Sequence, residues 1–327
     1  MIPLAIGGTI TTDRVCQPCN SMLGSRLDAA LNDFFPIRMR RAKLRLAGNS
    51  GIVPELHEMF LGQAKLIGET ENRVQTTFDK ATGKLNHRLL HHASDVVMPD
   101  GSKVRQISID ARDISQIPKI IQRERKRHNL SPLPKDMLSD AAKKFTVNTI
   151  ENPLVQISPS ISFAYLRHAM IKIAYELAFM WLGESYVEDP LAAELREAIC
   201  SPDLASTDNI KGYVGFANEE QFAVFQHWTP HEAHHLAFAS VVAGSVVVAV
   251  RLFDIYAAVV VVSQESHRYL RTASDSTKLR FIAIDAFSGN TINTTFDEES
   301  KRIATEMTKH RRTPPFPDPL SPNIAPE

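Results

Sequence analysis

Val15-Cys16-Gln17-Pro18-Cys19-Asn20-Ser21-Met22-Leu23-Gly24 is the stretch of this 327-residue chain on which its fold turns. After Ser21 the apolar residues Leu23, Leu27, Ala30, Leu31 and Phe34 recur at helical spacing. They predict a helix capped by Asn20 or Ser21 and ended by Pro36. Ahead of it, a turn-rich piece carries Gly7-Gly8, and a short strand-like run leads up to Val15. Two thiols two residues apart at a helix start suit three readings. They can be half of a metal knuckle, a redox pair whose pKa the helix lowers, or a plain structural pair.

Outward from that stretch the pattern stays mixed. Arg38, Arg40, Arg41, Lys43 and Arg45 form a basic run. It is either a patch for nucleic-acid phosphates or one solvated face of an element whose apolar side is Met39, Ala42, Leu44 and Leu46. Val74–Phe78 with Leu85–Leu89, and Val96–Met98 with Val104–Ile109, read as two hairpins across turn residues. Ile114 to His128 reads as a helix with a charged end, Arg123–His128. Pro132 and Pro134 mark a linker. Phe163–Leu182 and Pro190–Ile199 read as helices, and Tyr213–Phe216, Phe222–Trp228, Leu236–Val250, Ile255–Ser263 and Leu279–Ile284 as strands. The proline-bearing tail after Arg312 has too few apolar residues to pack. The expected organisation is α+β, with segments 1–35, 36–130 and 136–312 and a disordered tail, 313–327.

Composition narrows the function classes. The 37 Lys and Arg balance 37 Asp and Glu, so no global field draws in nucleic acid, and any phosphate binding is local. Three cysteines are too few for a secreted disulfide framework and point to a reducing, cytoplasmic setting. Residues 236–262 are apolar enough to suggest a membrane span, but Arg251 and Asp254 lie inside that run. Its valines read better as consecutive buried strands, with no membrane partner.

The order Ile2-Pro3-Leu4, Gly7-Gly8, Val15-Cys16-Gln17-Pro18-Cys19-Asn20 and then a helix resembles the CxxC-bearing HNH endonucleases. The resemblance runs from Ile2 to about Asp33. It implies a ββα unit holding one divalent metal, Mg²⁺ or Mn²⁺, against a scissile DNA phosphate. Asn20 takes the helix position that helps hold the metal. Asp13 falls near the position whose Asn steadies the general-base histidine. Cys16 and Cys19 supply half of a four-thiolate structural zinc site, if partner cysteines exist upstream. In the family that histidine stands three residues before the proline, so Pro3 puts it directly ahead of Met1. The resemblance thus implies a chain that starts just past its catalytic histidine and cleaves DNA weakly or not at all. The alternative is a remnant that binds nucleic acid or a partner without cutting.

His231-Glu232-Ala233-His234-His235 also spells HExxH. On a helix, His231 and His235 would bind zinc with Glu232 as base, as in a peptidase. The first expectation is checked by translating about 100 nucleotides ahead of the Met1 codon. An acidic residue and His next to Met1, with Cys-x-x-Cys further up, is the expected result. A stop codon or unrelated residues would leave a degenerate relative.

Overall fold

The computed structural model describes residues 1–48, 51–68, 72–141, 146–150, 153–158, 161–227 and 232–312. The tail beyond Arg312 lies outside them. The chain divides into two units, Met1–Pro54 with Ile161–Glu327, and Glu55–Ser160.

In the first unit a 3₁₀ turn, Leu4–Ile6, precedes α1 (Gln17–Leu23), a π-helical turn Gly24–Asp28, α2 (Ala29–Asp33) and α3 (Phe35–Leu44). Pro18 and Pro36 both sit in a first turn, where a missing N–H costs nothing. Pro36 therefore ends one helix and opens the next, and the basic run Arg38–Arg45 is helical through Leu44. The strand expected up to Val15 does not form. Its side chains are mostly polar, leaving Ile10 and Val15 as too little apolar surface to bury. Of the expected ββα unit, the helix is what appears.

The second unit holds β1 (Gly62–Leu66), β2 (Arg73–Asp79), β3 (Lys84–Leu89), β4 (His92–Val97) and β5 (Lys103–Ser108). A 3₁₀ turn, Ala111–Gln116, follows, then α4 (Ile117–Arg127), α5 (Lys135–Ala141) and β6 (Val155–Gln156). Both expected hairpins are present, β2 with β3 and β4 with β5. The first belongs to a sheet of order β3-β2-β1-β6, and β4-β5 stands as a two-stranded sheet.

The chain then returns to the first unit. There α6 (Phe163–Leu182), α7 (Pro190–Cys200), β7 (Gly212–Phe216) and a 3₁₀ segment, Glu220–His227, lead to β8 (His234–Val242), β9 (Ser245–Leu252) and β10 (Tyr256–Ser263). Next come β11 (Arg280–Asp285), β12 (Thr291–Thr295) and α8 (Phe296–Arg312). The six strands pair antiparallel in the order β12-β11-β8-β9-β10-β7. The valine-rich run is three of them, and no helix among the described residues is long and apolar enough to cross a membrane. Strand alternation sorts the side chains between two cores. Ala237, Val246, Val248, Val250, Ala258, Val260 and Ile282 face α6, α7 and the N-terminal helices, while Leu236, Phe238, Ala249, Ala257 and Phe281 meet Phe222, Phe225 and Ile303. Ile2, Ile6, Leu23, Leu27, Leu31 and Phe34 lie in the first core.

Two sequence expectations fail for local reasons. Phe222–Trp228 is not a strand: Glu220–His227 is two short 3₁₀ turns that meet at a kink at Phe222, and the bend lets Phe222 and Phe225 both enter the second core. Trp228 lies outside the described residues. The HExxH helix is also absent. His231 is outside the described residues, and from His234 on the chain is strand, so the zinc-peptidase reading falls.

His235 has another task. It is fully buried, its Nδ1 accepts from the Phe253 N–H at 3.2 Å, and its Nε2–H donates to the Ile6 carbonyl at 2.8 Å. The bond accepted at Nδ1 requires the neutral ring, and burial lowers its pKa from 6.5 to about 4 against the pull of the Ile6 carbonyl. A free imidazole therefore takes up a proton that the folded one refuses. Stability from this group is full above pH 6.5 and is lost as pH falls toward about 4, by about 3 kcal/mol in all. Denaturant unfolding across pH 7 to 4 should show this decline, and His235→Gln should flatten it while lowering stability at pH 7 by about 2 kcal/mol. An equal pH slope in the variant would refute the assignment.

Candidate functional site

Cys16 is the N-cap residue of α1 and Cys19 sits in its first turn, so helix geometry brings the thiols within hydrogen-bonding reach. Cys16 is exposed and Cys19 half-buried. The bond to Cys19 lowers the Cys16 pKa, and the same bond, then the charge of Cys16 and burial, raise that of Cys19. A smaller push on Cys19 comes from Cys200, exposed at the end of α7. Nothing in the sequence placed Cys200 near this pair. The Arg26 guanidinium on the π-helical turn donates to the Ile199 carbonyl at 2.5 Å, bringing the end of α7 beside the start of the chain.

Asn20 is exposed on α1. Asp13 is almost wholly in solvent and 3.6 Å from the Arg14 guanidinium. Among the described residues, no group of three or more His, Cys, Asp or Glu side chains is arranged to hold a metal ion. Residues 1–36 contain no histidine. Two thiolates and one amide oxygen fall short of the four ligands of a structural zinc and the six or so of a hard cation. These residues alone therefore complete neither site.

A cavity of about 410 Å³ opens against the stretch leading into Cys16. Thr12, Arg14 and Val15 form one wall, and Tyr175, Glu176, Phe179, Glu184, Val187 and Arg196 the rest. Arg14 pairs with Glu184 at 3.2 Å. Glu176 lies at the edge of a buried charge cluster: Lys172 meets Asp28 at 3.0 Å and Glu176 at 3.5 Å, and the Met1 backbone nitrogen donates to Glu176. Burial opposes the Lys172 charge, but the two carboxylates outweigh it and hold its pKa above the ordinary value. Burial raises Asp28. Arg14, Glu176, Glu184 and Arg196 have no motif signature, because a cavity built from three separated stretches leaves no local spacing to read.

The basic run divides. Arg40 donates to the Glu232 carbonyl, pairs with Asp254 at 2.8 Å and lies over the Phe253 ring at 5.8 Å. Lys43 pairs with Glu232 at 2.5 Å. Arg41 is buried. Arg45 is exposed and Arg38 half-buried.

Residues 1–36 match the HNH endonuclease family model. The matched segment begins at the buried Met1 and Ile2, takes in Cys16, Cys19 and Asn20, and ends at Pro36, in the first turn of α3. No curated protein and no solved structure matches the chain. The matched segment is not an appendage, since seven of its apolar side chains, Met1 included, lie in the core built on α6 and the large sheet. Removing the Lys172 ammonium should therefore loosen it. Lys172→Met leaves the partly buried Asp28 without its cation and Glu176 with the Met1 nitrogen alone, and an equilibrium loss of about 3 kcal/mol is expected. Lys172→Met with Asp28→Asn should recover part of it, and a single variant as stable as the parent would contradict this role.

Proposed function

We propose that the chain is an HNH-type, metal-dependent DNA endonuclease. The observation that carries this reading is the match over residues 1–36, whose Cys16-x-x-Cys19-Asn20 helix start follows directly on a wall of the arginine-bearing cavity. Phosphodiester hydrolysis needs the scissile group held, its charge offset and a water deprotonated. Arg14 and Arg196 are placed to hold phosphate oxygens in the cavity. Arg196 has no carboxylate partner among the described residues. Glu184 holds Arg14 in place, and Lys172 with Asp28 fixes the depth at which Glu176 sits. Asn20 offers a neutral oxygen to a divalent cation, Mg²⁺ or Mn²⁺. Cys16 and Cys19 offer two thiolates to a structural zinc.

The second reading, a nucleic-acid-binding relative that does not cut, is favoured by one observation: the matched segment holds no histidine to act as base. Loss of a positioned general base costs roughly two to four orders of magnitude in rate.

Supercoiled plasmid with Mn²⁺ separates the two. A nuclease gives slow nicking that EDTA stops and Asn20→Ala abolishes, with Arg196→Ala weakening plasmid retention in EDTA. Retention without any nicking supports the binding relative, and neither nicking nor retention removes both.

A further inference from the structure

The Glu55–Ser160 unit carries a cleft of its own, about 530 Å³, that no part of the nuclease reading uses. Its walls are the end of β3, the 3₁₀ turn Ala111–Gln116 and the first half of α4. Gln75 and Arg88 are direct partners across β2 and β3 and enter it together. From the other side come Gln116, Lys119 and Arg123, with His91 and Asp113 between.

The walls are braced. The Asp110 carboxylate accepts from the Leu89 N–H at 3.0 Å and from the Arg112 guanidinium, which also donates to the His87 carbonyl at 2.9 Å. Arg88 forks onto Asp113, one of the two bonds being 3.1 Å. The buried Glu124 accepts from Arg127 at 2.7 Å and Arg105 at 3.3 Å, with the His91 ring at 3.8 Å. Each carboxylate near the cleft thus has its own arginine. Lys119, Arg123 and Lys126 are left without a carboxylate among the described residues: all are exposed, and Arg123 contacts the His91 ring at 3.2 Å. At about 1.5 Å of rise per residue, positions i, i+4 and i+7 make a stripe of positive charge about 10 Å long on one side of α4.

We propose that this cleft binds the phosphate backbone of a nucleic-acid strand, with Lys119 and Arg123 on phosphate oxygens and Gln75 and Gln116 as neutral hydrogen-bonding groups beside them. A stripe of three unneutralised cations leading out of the cleft exceeds what one free phosphate group needs and suits a repeating polyanion. The choice of a nucleic acid over a free nucleotide rests on the nuclease reading. The site also gives the whole chain a local cationic patch that its zero net charge does not supply. In the helical basic run of the other unit, Arg40 and Lys43 are already engaged within the protein.

The test is binding of the full chain to a labelled 25-base-pair duplex and to the matching single strand, by fluorescence anisotropy in EDTA over a range of salt. Lys119→Ala with Arg123→Ala should weaken binding roughly tenfold and lower the slope of log K against log salt by about 2, the value for two lost phosphate contacts. Lys80→Ala with Lys84→Ala removes the same formal charge at the exposed β2–β3 turn and should leave the affinity within twofold. Equal weakening by both pairs overturns the proposal in favour of a diffuse charge effect. Unchanged binding in the first pair, or no binding by the parent, also overturns it. ATP is titrated in parallel by calorimetry. If the cleft variant loses ATP but keeps the oligonucleotides, the site takes a small phosphorylated ligand and the strand assignment fails. Because EDTA separates binding from cutting, a parent that binds through Lys119 and Arg123 but never nicks removes the nuclease reading alone.

Discussion

One buried imidazole holds together parts of the chain more than two hundred residues apart. His235 takes the N–H of Phe253 on one ring nitrogen and gives its other N–H to the carbonyl of Ile6. Phe253 is fully buried and has a positive φ of 56°, a backbone state that a bulky residue adopts only when its surroundings impose it. Arg40 completes the arrangement from α3, covering the Phe253 ring while bonding Asp254 and the Glu232 carbonyl. The start of the chain, the helix that follows it and the turn between β9 and β10 are thereby fixed to one another.

That constraint determines what the HNH-matching segment is in this protein. With its strand portion unformed, residues 1–36 have little ladder of their own to satisfy backbone groups. They are held by Ile2, Ile6, Leu23, Leu27, Leu31 and Phe34 in a core they share with α6, and by the Asp28–Lys172–Glu176 cluster. The apolar contacts supply most of the attachment, since a desolvated charge cluster roughly offsets its own burial cost. The cluster instead ties the π-helical turn to α6 through Asp28 and Lys172, and Glu176 carries it to the wall of the cavity beside residues 12–15.

The two units divide the cationic chemistry differently. In the first, arginines are largely consumed in holding the fold, as with Arg40 and Arg26. In the second, the carboxylates around a braced cleft are matched to arginines, and three cations on α4 have no carboxylate partner among the described residues. Near-zero net charge thus conceals a local asymmetry, because averaging over the chain removes the pattern that a phosphate would meet.

The sequence by itself determined the elements whose signals are local. Helical spacing fixed Phe163–Leu182, and turn chemistry fixed the β2–β3 and β4–β5 hairpins. Val-rich content marked consecutive buried strands, but as two where the turn at Ala243-Gly244 makes three. The Cys-x-x-Cys-Asn stretch marked a helix, with a cap expected at Asn20 or Ser21 where the structure has Cys16. Each of these follows from residues within one element or one turn. Only the tertiary structure decided the rest. It took His235 out of an apparent zinc motif and made it a clamp, because strand pairing with β9 and β11 outweighs a five-residue helical pattern. It turned Phe222–His227 into a 3₁₀ segment, because two phenylalanines needed the same core. It brought Cys200 toward Cys19 and Arg196 toward Arg14, pairs separated by some 180 residues. Contacts of that span are set by which apolar faces find each other, and no spacing along the chain records them.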